Sequence, residues 1–246
     1  MSGRMKDEAY DAFAYAYDQA LGDRFFRSVR RLLNRVLAAH PTEERTHLDV
    51  ACGTALAIEF FERRGYLSVG VDLSLPMLEV ARQRARRLIA GDMRRLPLRG
   101  KFTRVTCLYD SLNHLKSSDE LALAFTAIRE VLGDDGLFLF DVNHPDVYPE
   151  IWGNDEPFIA DGEDFHLRMA TKFRKRDRIA QAMVTGWAVI DGKRIPIRER
   201  REQRAYSERE IIDALAAAGL VPIEMIEFDP YAEGRSVKLF FVCRHL

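Results

Sequence analysis

The sequence predicts an α/β protein with a doubly wound, mostly parallel sheet of seven strands and an inserted antiparallel β meander. Two observations predict this fold. Short apolar strands alternate with amphipathic helices from residue 48 to residue 142, and repeated βα units imply a parallel sheet. A proline-containing break then leads into three strand-like runs without helices between them, before a helix and two final strands.

The chain begins with predicted helices. Tyr10, Phe13, Ala14 and Tyr17 recur at helical spacing, and a second amphipathic helix is expected over 25–37. The βα units follow, with strands at 48–51, 68–72, 88–92, 104–109 and 136–142 and helices at 56–64, 76–87 and 118–132. We expect Gly133 to end the last of these helices.

After Asn143 the stretch "HPDVYPEIWGNDEP" predicts an irregular arm. Three meander strands are expected at 165–173, 179–190 and 194–205, and "DGK" is a good hairpin turn between the last two. Ser207 and Glu210 then form a capping box at the start of a helix that ends near Gly219. The expected division is therefore one domain, 1–144 and 206–246, with a subdomain inserted at 145–205 that either caps the site or forms a homodimer interface.

Composition excludes several classes of partner. With 37 basic and 38 acidic residues, the chain has no overall field that would attract nucleic acid or an anionic membrane. It has no apolar run near the roughly 18 residues of a membrane span, and its amino terminus lacks an apolar signal core, so we expect a cytoplasmic protein. Its three cysteines lack CxxC spacing and are expected to be reduced core thiols, and no carboxylate cluster predicts a metal.

The stretch "HLDVACGTA", residues 47–55, runs a strand into a turn of small residues at the place where open α/β sheets bind ligands. A dinucleotide fingerprint needs three glycines, but the matching positions are Ala51, Gly53 and Leu56, which argues against pyrophosphate and a nicotinamide oxidoreductase. A cofactor with a ribose and an adenine but no pyrophosphate fits better. Asp72 ends the second strand, where a carboxylate can accept both ribose hydroxyls, and Asp92 ends the third, within reach of an adenine amino group.

Four motifs in order, "LDVACGTA", "VGVDLS", "GDM" and "TCLYDSLNHL", resemble those of the class I S-adenosylmethionine-dependent methyltransferases, which have a Rossmann-like sheet. The resemblance covers most of 1–142 and 206–246. The stretch "YDAFAYAYD" at 10–18 and the β insertion are similar to small-molecule enzymes that dimethylate amino sugars, in which an amino-terminal lid closes over the cofactor. The family's turn usually ends in glycine, where this chain has Ala55.

The resemblance implies S-adenosylmethionine as cofactor, S-adenosylhomocysteine as product and a small molecule as N or O acceptor. The implied contacts are Asp49, Ala51, Cys52 and Gly53 at the methionine part, Asp72 and Leu73 at the ribose and adenine, Asp92 and Met93 at the adenine, Tyr109 and Asp110 near the sulfonium, and Tyr10 and Tyr17 in the lid.

Methyl transfer from a sulfonium is an in-line displacement, so holding donor and acceptor aligned is the main requirement. An amine or hydroxyl acceptor must lose a proton, for which His114 and Asp110 are the candidates; histidine suits neutral pH better. The stretch "LYDS" replaces the "PPY"-type tetrad of base-amine methylases, which disfavours nucleic acid. Two alternatives stay open: an RNA or protein methyltransferase, and a noncatalytic module that binds an adenosyl ligand.

The insertion is also asymmetric in charge. Seven acids and no Lys or Arg occur over 145–164, whereas 165–205 has twelve basic and four acidic residues. Either these two parts pair with each other or the acidic arm attracts a cationic amine acceptor.

Overall fold

The computed structural model describes residues 12–153, 156–230 and 236–246, so the predicted lid residue Tyr10 lies outside the described residues. A seven-stranded sheet has the strand order β10-β11-β5-β4-β1-β2-β3. Its strands are β1 (Thr46–Val50), β2 (Leu67–Asp72), β3 (Leu88–Ala90), β4 (Phe102–Cys107), β5 (Leu132–Asn143), β10 (Leu220–Phe228) and β11 (Lys238–His245). Strands β1 to β5 are parallel and β11 runs antiparallel to both β5 and β10, which confirms the predicted mostly parallel sheet.

The helices are α1 (Asp23–Ala39), α2 (Leu56–Glu62), α3 (Leu75–Ala81), α4 (Ser118–Val131), α5 (Val147–Glu150) and α6 (Glu208–Ala217). Residues 12–22, called the amino-terminal segment below, form a helical turn over 12–17 that continues into a π-helical stretch, Asp18–Gly22, and then into α1. No described helix is both long enough and apolar enough to span a bilayer.

Helices cover both faces of the sheet. On one face Phe138 and Phe140 of β5 pack with Phe125 of α4 and Ile211 of α6. The alternate residues of the same strand, represented by Leu139, pack on the other face with side chains of α1 and α2. This alternation follows from the two-residue period of a strand, and it explains why the central strands read as continuous apolar runs.

The chain visits β1, β2 and β3 in one direction and then crosses back to β4 on the other side of β1. The strand order therefore reverses between β1 and β4, and the connections after these two strands separate there. In open α/β sheets the crevice at such a point is where ligands bind.

A second, antiparallel sheet is formed by the residues between β5 and α6 in the sequence. Its strands, in spatial order, are β6 (Phe158–Asp161), β7 (Phe165–Arg174), β8 (Ile179–Ile190) and β9 (Lys193–Arg204). The three predicted strands are present, and β6 adds a fourth at the edge. The amino-terminal segment packs Phe13 against Leu167, Val184 and Ile197 of this sheet and against Met77 of α3.

One predicted helix end is wrong. The helix expected to reach residue 87 ends at Ala81, because the chain then turns and directs Arg84 toward the amino-terminal segment. The helix expected over 118–132 is α4, which ends at Val131, and Gly133 follows its C-cap residue Leu132 and lies within β5. A Cβ on Gly133 would lie 3.3 Å from the Phe102 carbonyl oxygen, so the glycine allows a close approach of two strands. The Ser207 capping box of α6 is confirmed.

Candidate active site

The turn after β1 has an alternating left-handed backbone. Ala51, Gly53 and Ala55 have φ angles of 55°, 51° and 70°. Alanine in this region costs about 1–2 kcal/mol relative to its usual conformations, so the turn is held by its surroundings, including a 3.0 Å hydrogen bond from Cys52 N to Val71 O. A Cβ built on Gly53 meets no atom within 4 Å, which leaves open space directly above this residue.

Asp72, at the end of β2, ties that strand to the turn. Its Oδ2 accepts a hydrogen bond from Gly53 N at 2.8 Å, and its Oδ1 accepts one from Ser74 N at 2.7 Å. Burial raises the pKa of Asp72, while the two backbone donors and the positive charge of Arg201 oppose the shift. Each carboxylate oxygen keeps a further lone pair for a ligand hydroxyl. The next residue, Leu73, is 72% exposed and can flank a ligand bound there.

Asp49 lies on β1, two residues before the turn, and is buried. Its Oδ1 accepts a 2.5 Å hydrogen bond from the Thr106 hydroxyl of β4. Burial raises the pKa of Asp49 to about 7, and the Thr106 hydrogen bond works against this rise. Burial raises the pKa of Cys52 in the turn and of Tyr109 beyond β4, and the charge of Asp49 adds to both shifts.

The loop after β4, residues 108–115, is called the β4 loop below. Tyr109 and Asp110 both have positive φ angles, 62° and 50°. The buried Asp141 of β5 holds them there, with Oδ1 accepting from Tyr109 N at 2.7 Å and Oδ2 from Asp110 N at 3.0 Å. The Lys238 ammonium of β11 bridges the Asp110 and Asp141 carboxylates, and Gln203 of β9 donates to the other Asp110 oxygen.

His114 is at the end of the β4 loop. Its Nδ1 lies 3.0 Å from the Glu202 carbonyl oxygen of β9, which can only accept, so Nδ1 carries the proton and Nε2 presents its lone pair. The His114 side chain is exposed to solvent on one side and surrounded by protein atoms on the others. Desolvation by these atoms lowers the pKa of His114, and the negative charge of Asp110 works against this shift. Asn113 Nδ2 also donates to Arg204 O at 2.8 Å, so the inserted sheet and the β4 loop are bound together.

Hydrogen bonds hold the amino-terminal segment over the turn that follows β1. Asp18 accepts from the Thr54 hydroxyl at 2.5 Å and forms two hydrogen bonds with the Arg84 guanidinium, of 2.7 and 3.1 Å. The Tyr109 hydroxyl donates to Gly22 O at 2.5 Å from the other side. The predicted lid residue Tyr17 packs on Phe13, at 5.7 Å between ring centroids. The segment thus covers the crevice between β1 and β4.

Asp92 and Met93 follow β3. Asp92 pairs with Arg94, which also reaches Glu120 of α4 at 2.6 Å, and the Arg94 hydrogen bond lowers the pKa of Asp92. Met93 packs against the apolar cluster on the face of the sheet that contains Phe138 and Phe140. Their contact with an adenine stays a prediction. Within the described residues, no three His, Cys, Asp or Glu side chains are grouped so that they could hold a metal ion.

Sequence reasoning missed four residues of this site: Asp141, Arg201, Gln203 and Lys238. Asp141 and Lys238 each interrupt an apolar run, "FLFDVN" and "SVKLFFVC". A charge in an otherwise apolar, buried strand is a signal of a paired ionic group, and this signal could have found them.

We expect Arg84→Met to loosen the amino-terminal segment, because the buried Asp18 carboxylate loses its cation. An unpaired buried carboxylate costs at least about 1.4 kcal/mol, so backbone hydrogen exchange across 12–22 should quicken about tenfold or more. Arg82→Met is the matched control, since Arg82 is 66% exposed and pairs only with Glu79 among described residues. Equal exchange in the two variants would contradict this role of Arg84.

Comparison with known proteins shows similarity to methyltransferases in sequence and in fold. The family model described as a methyltransferase domain matches residues 48–136. A protein of Geobacillus sp. (strain WCH70), provisionally named a methyltransferase, is 33% identical over 141 residues; these are 54% of this chain and 57% of that relative, so the chain spans little more than half of its length. The dTDP-3-amino-3,4,6-trideoxy-alpha-D-glucopyranose N,N-dimethyltransferase of Streptomyces venezuelae is 29% identical over 197 residues, 78% of this chain and 81% of that relative.

The fold is that of a solved S-adenosylmethionine-dependent methyltransferase from Clostridium acetobutylicum ATCC 824. The two share 23% identity, with a TM-score of 0.80 over 95% of this chain and 97% of that chain. The resemblance predicted from the four motifs is confirmed. Residues 48–136 match the family model described as a methyltransferase domain, and the chain has the fold of a solved S-adenosylmethionine-dependent methyltransferase.

Proposed function

We propose that this chain transfers the methyl group of S-adenosylmethionine to an amino group of a small molecule. The observation that carries the proposal is the arrangement at the crevice: open space above Gly53 is flanked by the Asp72 carboxylate and by the β4 loop with His114. A carboxylate at the end of β2 suits a ribose, and a glycine with free space above it suits close approach of a ligand to the backbone.

The residues present fit the cofactor. Asp72 would bind the ribose hydroxyls, Gly53 and its neighbours would contact the methionine part, and Asp49 would face its ammonium group. Asp92, Met93 and Leu73 would border the adenine. When bound, S-adenosylmethionine supplies an electrophilic methyl group on a sulfonium. The chain has to align an acceptor with that methyl and exclude water.

His114 is the group that we propose takes the proton from the acceptor, because its Nε2 lone pair is available and its pKa is lowered. Asp110 is a weaker candidate for the same role, because both of its oxygens are bound, one by Lys238 and the other by Gln203. We propose that it holds the β4 loop in its left-handed conformation instead.

The inserted sheet, 145–205, is proposed to act as a cap. Its strand β9 contacts the β4 loop through Glu202, Gln203 and Arg204, and its buried face packs on the amino-terminal segment. A cap in this position would set the shape available to the acceptor. An amine is favoured because the Streptomyces venezuelae relative is named for N,N-dimethylation of a 3-amino sugar, and because the acidic arm over 145–164 would attract a cation.

An acceptor screen tests the proposal. Formation of S-adenosylhomocysteine is measured with a nucleotide-linked 3-amino sugar and a set of small primary amines, each paired with its hydroxyl analogue. The expected result is turnover of at least one amine, with a product heavier by one or two methyl groups, and much slower turnover of its hydroxyl partner. Asp72→Ala is the control variant, because it lacks the carboxylate that we propose binds the ribose of the cofactor. Equal transfer to amine and hydroxyl partners, or transfer only to RNA or protein, would contradict the proposal.

A further inference from the structure

A chain of hydrogen bonds runs across the sheet to Asp49. Ser68 Oγ of β2 lies 3.1 Å from His47 Nδ1, His47 Nε2 lies 2.9 Å from Thr106 Oγ1, and Thr106 Oγ1 lies 2.5 Å from Asp49 Oδ1. The side chains lie on three adjacent strands, β2, β1 and β4. All four residues are buried, with at most 3% exposure.

The direction of every bond follows from the carboxylate at its end. An ionised Asp49 can only accept, so Thr106 donates to it and uses a lone pair to accept from His47 Nε2–H. His47 Nδ1 then accepts from the Ser68 hydroxyl. Burial lowers the pKa of His47 to about 3, so the ring is neutral near pH 7 and has the single tautomer that this order needs. The ring also stacks on Phe61, with 3.8 Å between centroids, which fixes its plane.

The second oxygen of Asp49, Oδ2, accepts no hydrogen bond from any residue that the structure describes. Thr106, the one donor of this series that contacts Asp49, thus restrains the carboxylate through Oδ1 and leaves Oδ2 available. Asp49 lies two residues before the turn, and Thr106, which binds its Oδ1, lies two residues before the β4 loop, so the carboxylate lies beside the crevice between the turn and the β4 loop.

We propose that Ser68, His47 and Thr106 are positioning residues that hold the Asp49 carboxylate in one orientation and in its ionised form, to receive the ammonium group of the cofactor's methionine part. This inference rests on the proposed function, because it needs an adenosyl amino acid as ligand. The same arrangement explains a histidine in a strand where an apolar residue would suffice for packing: His47 binds one hydroxyl group with each ring nitrogen, Ser68 at Nδ1 and Thr106 at Nε2. Thr106 supplies the last donor, which favours the charged form of Asp49 against the effect of burial.

A double-mutant cycle tests the proposal, with S-adenosylhomocysteine as the probe and its dissociation constant measured by isothermal titration calorimetry. The variants are Thr106→Val, Asp49→Asn and the double variant. Loss of one charge-assisted interaction corresponds to about tenfold in affinity, so Thr106→Val should weaken binding about tenfold in the otherwise unchanged chain. In the Asp49→Asn background, where no carboxylate remains to be oriented, it should change binding less than about twofold.

Two further variants keep the test independent of folding defects. Thr106→Ser keeps the hydroxyl and should bind like the unchanged chain. Ser68→Ala removes the far end of the chain of bonds and should weaken binding about threefold, again only when Asp49 is present. If Thr106→Val leaves the dissociation constant unchanged, or changes it equally with and without the Asp49 carboxylate, the hydrogen bonds from Ser68 to Thr106 do not act through that carboxylate and the proposal is wrong. If the unchanged chain does not bind S-adenosylhomocysteine, the proposed function fails first and this inference fails with it.

Discussion

Replacement of Lys238 by Met is expected to lower the free energy of unfolding by about 3–5 kcal/mol, because the change leaves the buried Asp141 carboxylate without its cation. Lys238 is 3% exposed and Asp141 is fully buried. Burial raises the pKa of Asp141, and the Lys238 ammonium is the largest opposing influence. Asp110, which Lys238 also binds, would lose the same partner. Urea unfolding at pH 7 followed by circular dichroism measures the loss.

Lys116→Met is the matched control for this variant. Lys116 pairs with Glu202 at 3.2 Å, but its side chain is 45% exposed, and surface pairs contribute at most about 1 kcal/mol. Combining Lys238→Met with Asp141→Asn should recover part of the stability, because the uncompensated charge is then absent. A loss of less than about 1 kcal/mol in Lys238→Met would show that the Asp110 and Asp141 carboxylates do not depend on this lysine.

Replacement of His114 by Ala is expected to lower the turnover number about 10²–10⁴-fold on an amine acceptor, because the group that removes its proton is lost. The dissociation constant of S-adenosylhomocysteine should stay unchanged, since His114 lies on the β4 loop and not at the turn that we expect to hold the cofactor. His166→Ala is the control: this histidine pairs with Asp161 on the inserted sheet at 2.6 Å, away from the β4 loop.

The pH dependence of turnover gives a second measure of the same role. Only neutral His114 can take a proton, and desolvation by the surrounding protein atoms lowers its pKa below the ordinary value of 6.5. Activity should therefore be constant above pH 6.5 and should fall as the pH drops through the lowered pKa; this acidic limb should be absent from the residual activity of His114→Ala. An unchanged pH profile in the variant would remove His114 as the base.

The sequence allows the main sheet to be predicted because its strands are apolar runs separated by amphipathic helices, and such local periodicity survives in the fold. Strand β6, Phe158–Asp161, could not be found in this way. Among the strands that the structure describes, it pairs with β7 alone at the edge of the inserted sheet, and Phe158 and Ile159 are exposed, so it has neither a long apolar run nor a buried face. Its position depends on a partner strand and not on its own composition.

The candidate site was predictable to the extent that its residues follow one another in motifs. Asp49, Gly53 and Asp72 lie at strand ends, and the structure brings them to one crevice. Gln203 and Lys238 could not be placed, because they reach Asp110 from 93 and 128 residues away and their strands join the site only through tertiary pairing. The neutral state of His47 likewise depends on complete burial, which no local pattern reports.

Calorimetric titration of S-adenosylhomocysteine into the purified chain and into Asp72→Ala tests most directly whether the turn after β1 holds the cofactor. Asp213→Ala, an exposed acid paired with Arg209 on α6, serves as the control, and NAD as the control ligand. We expect binding by the unchanged chain and by Asp213→Ala, no binding of NAD, and a loss of affinity of about 100-fold or more in Asp72→Ala, the equivalent of two charge-assisted hydrogen bonds to the ribose. Equal affinity in the two aspartate variants would contradict the assignment of the site.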